Sequence, residues 1–225
     1  MALVYPLALS GFMDLLRVQE VRLDLDRPLQ MNSLHGGELL TAEVAPPYWR
    51  GSIALAPMAS RAADEVLTLL AALSVPGRAF EVCHPHRIGP AGDPLGAALS
   101  GFAPVIEAVP SNAFSLRLGG LPQGYALSPG DMISFDYDPG TGTRRALHRV
   151  VEDRAATTLS AFSGYRTGEF EVVPYVRPGA AAGAAVRLVR PACLGVLVPG
   201  SVSSGSTRGS VTSGVAFSWR QKLRA

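Results

Sequence analysis

The sequence predicts a mainly β fold, a β-sandwich or β-barrel with one packed α-helix, in the α+β class. Two observations carry this. Short apolar runs alternate with polar residues at a period of two and are broken by Gly and Pro turns. A single segment shows the 3.6-residue period of a helix, and many short strands with one helix pack as a β-dominated domain.

The elements follow in order. Residues 21–26 read VRLDLD, with Val21, Leu23 and Leu25 alternating against Arg22, Asp24 and Asp26. That is a strand with one wet face. A turn at 32–37 uses Gly36 and Gly37, and residues 38–44 form the next strand, stopped by Pro46 and Pro47 because proline cannot donate to a ladder. In residues 49–55, Trp49, Gly51, Ile53 and Leu55 share a face. The helix follows. Ser60 is its expected N-cap, Asp64 and Glu65 suit its early turns, and Val66, Leu69, Leu70 and Leu73 make its apolar stripe. Pro76 and Gly77 end it.

Residues 78–83 return to strand. Residues 85–99 read as a long Gly/Pro-rich loop, of a kind often functional or in contact with a partner. Further strands are expected at 113–118, 132–137, 144–151, 157–162 and 170–173. The run 138–143 is a hairpin tip, and 180–185 is a small-residue linker. Residues 185–189 and 194–198 are expected to pair with each other around Pro191. Residues 201–213, rich in Ser, Gly and Thr, suit a flexible arm or a segment ordered only in an assembly. A last strand covers 215–223. The expected organisation is a β-rich domain over 1–200, with a loop insertion near 84–103, and a Ser/Gly-rich arm with a C-terminal strand over 201–225.

With 225 residues the chain can bury a core without a disulfide or metal staple. Charged residues make up only 17%, which fits a surface partly covered by neighbouring subunits or one built from Ala and Gly. A net charge of +2 without a dense basic patch argues against nucleic-acid recognition. Arg220, Lys222 and Arg224 read as a solvated basic tail. Cys83 and Cys193 are expected as free buried thiols, with a single long-range bridge between them as the alternative. No apolar run reaches the roughly 18 residues of a membrane span, and the N-terminus reads as mature protein.

The search for chemistry finds no phosphate-cradling loop and no dinucleotide fingerprint. Ala161-Phe162-Ser163-Gly164 lacks the first glycine of a nucleophile elbow. Cys83-His84-Pro85-His86 is the densest cluster, and it could form half of a metal site or a Cys–His pair. His35 and His148 stand alone, so a strand end opening into a loop is the plainer reading. Asp136 and Asp138 could ligate calcium, but a solvated hairpin end explains them, as a wet strand face explains Asp24 and Asp26. Trp49 and Trp219 fit core packing better than sugar platforms. No catalytic, cofactor-binding or metal residue is assigned.

The order of features resembles that of tail proteins of long-tailed bacteriophages and the related gene transfer agents. Trp49-Arg50-Gly51 is followed by a helix starting at Ser60-Arg61-Ala62, then by Arg78-Ala79-Phe80-Glu81-Val82 and a Pro/Gly-rich loop. Pro129-Gly130-Asp131-Met132-Ile133 precedes His148-Arg149-Val150, and Val173-Pro174-Tyr175-Val176-Arg177-Pro178 follows. The resemblance runs from Trp49 to Val198. It rests on this order, and it does not separate distal tail protein, tail-tube subunit and hub component.

It implies a β-sandwich or β-barrel subunit of the virion, assembled in the host cytoplasm, without catalytic residues or cofactors. It also implies a homo-oligomeric ring, commonly a hexamer, that links the tail tube to the baseplate hub and passes DNA without gripping it. A carbohydrate- or receptor-binding module, with an exposed Trp49 or Trp219, is a second expectation. A cell-wall hydrolase built on Cys83 is a third.

Overall fold

The computed structural model describes residues 3–33 and 36–224, and is mainly β with one α-helix. In chain order the first elements are β1 (Val18–Asp26), β2 (Leu29–Ser33), β3 (Leu39–Glu43), β4 (Tyr48–Leu55), β5 (Met58–Ala59), α1 (Ser60–Leu73) and β6 (Phe80–Cys83). Next come β7 (Val105–Ala108), β8 (Ser115–Gly119), β9 (Ala126–Leu127), β10 (Met132–Tyr137), β11 (Arg144–Val150), β12 (Arg154–Leu159), β13 (Tyr165–Thr167), β14 (Phe170–Val173) and β15 (Val186–Arg187). The last are β16 (Ala192–Leu197), β17 (Ser203–Arg208) and β18 (Val211–Gln221).

The first sheet runs β1-β4-β18-β16-β6, with β5 and β17 also paired to β18. It buries one face because β4 and β18 alternate: Trp49, Ile53, Leu55, Val215, Phe217 and Trp219 point inward. Helix α1 lays Ala63, Val66, Leu70 and Leu73 on that core. Phe12, from the N-terminal segment, meets Phe80 edge-on at 4.9 Å between ring centroids.

The chain leaves this sheet after Cys83 and re-enters it at Ala192, and those two residues are direct cross-strand partners. Between them lies a second core. Its six-stranded sheet runs β15-β10-β11-β14-β8-β7. The ends meet through a Val105–Ala185 bridge, with Ile106 N donating to Ala184 O at 2.9 Å and Val186 N to Pro104 O at 2.8 Å, so the sheet closes on itself. Ile106, Leu116, Leu118, Phe135, Phe170 and Val172 are among the residues that fill it. Strands β9, β12 and β13 form a small sheet on its flank.

Several expectations are corrected. Ser60 is the first helical residue rather than the cap; Ala59 holds the cap position without a side-chain bond. Because β5 pairs with β18, Ser60 N already donates to Ser210 O at 2.9 Å, and a side-chain cap is not needed. The segments 185–189 and 194–198 do not pair together. β15 pairs with β10 and β16 with β18 and β6, because Pro191 sits where the chain crosses from one core to the other. Residues 201–213 form most of a β-hairpin, β17–β18, tied by a Thr207–Thr212 hydroxyl contact of 2.9 Å. Arg220 is no tail residue: it lies in β18, its guanidinium 4.9 Å over the Tyr48 ring. Strands β2 and β7 fall where no strand is expected, in runs without clean alternation.

The loop after β6 is long but held. The buried Asp131 carboxylate accepts from Ala91 N and Ser128 N, each at 2.8 Å. Asp93 accepts from Ala97 N at 2.8 Å and Ala98 N at 3.1 Å.

Candidate functional site

Cys83 and Cys193 sit on adjacent strands but on opposite faces. Cys83 pairs with Ala192 and Cys193 with Val82, and cross-strand partners share a face. Both thiols are free and buried, and burial pushes both pKa values up. Against that burial, the charge that most lowers the Cys83 pKa is the Arg190 guanidinium, not an imidazole. His84 Nδ1 accepts from His86 N at 3.2 Å, and burial, then the Arg87 charge, lower its pKa. Among the described residues no group of three or more His, Cys, Asp or Glu stands together as a metal site. His35 lies outside the described residues.

The carboxylate pairs are structural. Asp138 accepts from Gly140 N at 2.7 Å and Gly142 N at 3.1 Å, fixing the hairpin tip. Asp26 accepts from Tyr48 Oη at 2.8 Å and lies 3.3 Å from Arg50. Both tryptophans are buried, at 0% and 1% exposure, so neither offers a sugar platform. That removes the feature that would have favoured the carbohydrate-binding expectation.

Trp49 instead joins the two cores. It comes from β4, and its indole Nε1 donates to Leu147 O on β11 at 2.7 Å. Its backbone N donates to Gln221 Oε1 at 3.1 Å, and the Arg149 guanidinium sits 5.1 Å over its ring. Met132 and Leu147, from the closed sheet, belong to the first core beside it.

A second tie is ionic. Arg145 reaches from β11 to Glu81 on β6 and, at 2.7 Å, to Asp136 on β10. Burial alone would disfavour the Arg145 charge. Asp136 and Glu81 outweigh it, and the pKa lies above the ordinary value. A half-buried ion pair of this kind fixes orientation more than it adds stability.

The sequence assigns His148 no site role, yet the residue is fully enclosed. Its ring stacks on Phe135 at 5.2 Å, and burial pushes its pKa down to about 4. A carbonyl can only accept, so the neutral ring donates from Nδ1 to Pro174 O at 2.8 Å. Pro174 begins a segment in which Tyr175 Oη donates to Glu43 at 3.0 Å and Arg177 bonds Pro47 O. These contacts reach the root of the β2–β3 ribbon.

That ribbon stands out from both cores. Every residue of β2 and β3 is exposed, including Leu29, Met31, Leu39 and Leu40. The arrangement ties the two cores together through Trp49 and Arg145 and holds out a ribbon whose apolar residues stay exposed.

No protein-family model and no curated protein matches the chain. No helix among the described residues is long and apolar enough to cross a membrane.

Proposed function

We propose that the chain is a structural subunit of a phage tail, resembling a distal tail protein that forms a ring between the tail tube and the baseplate hub. The observation that carries this is the β2–β3 ribbon. Its apolar residues stay exposed among the described residues, Met31 at 63%, and exposed apolar side chains grouped on one element mark an interaction site.

Several acidic and basic groups support the same reading. Asp131, Asp138, Glu81, Arg145 and His148 are each taken up in contacts that hold the fold. The net charge of +2 suits a lumen through which DNA slides, since a strongly basic lining would bind phosphates. The partners on this reading are further copies of the chain, the tube protein and the hub proteins.

The test is to purify tailed particles from the source organism and look for the chain by peptide mass spectrometry and immunogold labelling. Label at the junction of tube and baseplate is the expected result. Particles that lack the chain, or label spread along the whole tube, would remove the distal tail assignment.

A further inference from the structure

Two apolar surfaces lie at opposite ends of the closed sheet. The first is the β2–β3 ribbon. Its register puts Leu29, Met31 and Leu39 on one side and Leu40 and Ala42 on the other, with Met31 63% exposed. A lone two-stranded ribbon is marginal in water. This one is fastened at its root, where Tyr175 Oη bonds Glu43 at 3.0 Å.

The second surface is the tip between β12 and β13. Leu159 is 72% exposed, and Phe162 and Phe102 are exposed beside it. Phe102 packs against this tip, its ring 3.3 Å from where a Cβ on Gly164 would stand.

Strand β8 relates the two. At its start, Phe114 meets the ribbon-holding Tyr175 edge-on at 6.2 Å. At its end, Gly119 abuts Ser160 of the tip. Five extended residues span about 16 Å, so one surface cannot cover the other within a copy.

Their charges are complementary. Between residues 29 and 44 the charged side chains are Glu38 and Glu43, both acidic. On the tip side, Arg117 of β8 makes no ion pair among the described residues, while the charge of Arg166 is offset by Glu107 at 2.9 Å.

We propose that the β2–β3 ribbon of one copy docks on the β12–β13 tip of a second copy, head to tail. Leu29, Met31 and Leu39 cover Leu159 and Phe162, and Glu38 faces Arg117. Two different patches in contact make a heterologous interface, which generates closed rings or open filaments rather than two-fold dimers. The inference rests on the ring reading for its closure, and on the two surfaces for the contact itself.

The test uses the full chain carrying Met31→Cys or Leu159→Cys; the native Cys83 and Cys193 are buried at 7% and 0% exposure. The two variants are mixed and oxidised. The expected product is the cross-link between unlike variants, in clear excess over either like pair, and a ladder of species from the double variant. Like-pair cross-links alone, or no cross-link at any protein concentration, would overturn the contact. In parallel, Met31→Asp with Leu39→Asp should weaken self-association at least tenfold by light scattering and leave the melting temperature unchanged; undiminished assembly would also overturn it. A ladder that forms from a chain absent from tailed particles would sink the tail reading and leave the contact standing.

Discussion

At the residue scale, His148 makes a pH prediction. Its pKa in the folded chain is about 4, below the ordinary histidine value near 6.5 because it is buried. The unfolded chain therefore takes up the proton first as pH falls, and stability present above pH 6.5 is lost progressively down to about pH 4. The difference corresponds to about 3 kcal/mol. His148→Gln keeps a neutral donor of similar size and should flatten that part of the stability curve; urea unfolding of both proteins from pH 7 to 4 would measure it. Parallel curves would mean that other groups set the acid limit. The sequence left His148 as a solitary histidine, because its partners Phe135 and Pro174 are 13 and 26 positions away. Gly51 was equally opaque. It reads as an inward residue of β4, but a Cβ there would collide with the Arg22 carbonyl oxygen and stand 3.0 Å from Trp219 Nε1. The glycine is a packing requirement between strands that the sequence does not show as neighbours.

At the element scale, local patterns showed the helix and many of the strands, but not β2, β7 or β17, and partner choice stayed hidden. β10 and β14 match their expected bounds because alternation and bracketing turns are local signals. The pairing of β16 with β18 and β6 needs knowledge of chain crossings that no window contains. The start of α1 shows the same limit. Serine before an apolar stripe reads as a cap, yet Ser60 lies inside the helix with its hydroxyl buried and unpartnered. Ser60→Ala should therefore change stability by less than about 0.5 kcal/mol, whereas loss of a capping serine typically costs about 1. Chemical denaturation separates the two outcomes, and a loss above about 1 kcal/mol would restore the hydroxyl as a structural donor. The ribbon was half legible. Residues 38–44 read as a strand, but the partner run LQMNS shows no clean alternation, since neither of its faces is buried.

At the scale of the whole molecule, the closeness of Cys83 and Ala192 makes the architecture testable. These residues are cross-strand partners, so replacing residues 84–191 by a two-residue Asn-Gly turn would convert β6 and β16 into an ordinary hairpin. The first sheet keeps α1, the Phe12–Phe80 contact and the central β18. It loses the Leu147 carbonyl that accepts from Trp49, and the cover of Met132 and Leu147. The shortened protein should fold cooperatively and be less stable by about 2–3 kcal/mol, the scale of uncovering one large side chain. Trp49 emission should move to longer wavelength while Trp219 stays buried. This division explains why the sequence suggested only a loop near 84–103: both cores use the same short, alternating strands, so composition does not change where one ends and the other begins. If the shortened chain is unfolded, the two cores depend on each other. The joint at Trp49 and Arg145 would then be a condition of folding rather than a means of orienting two stable parts.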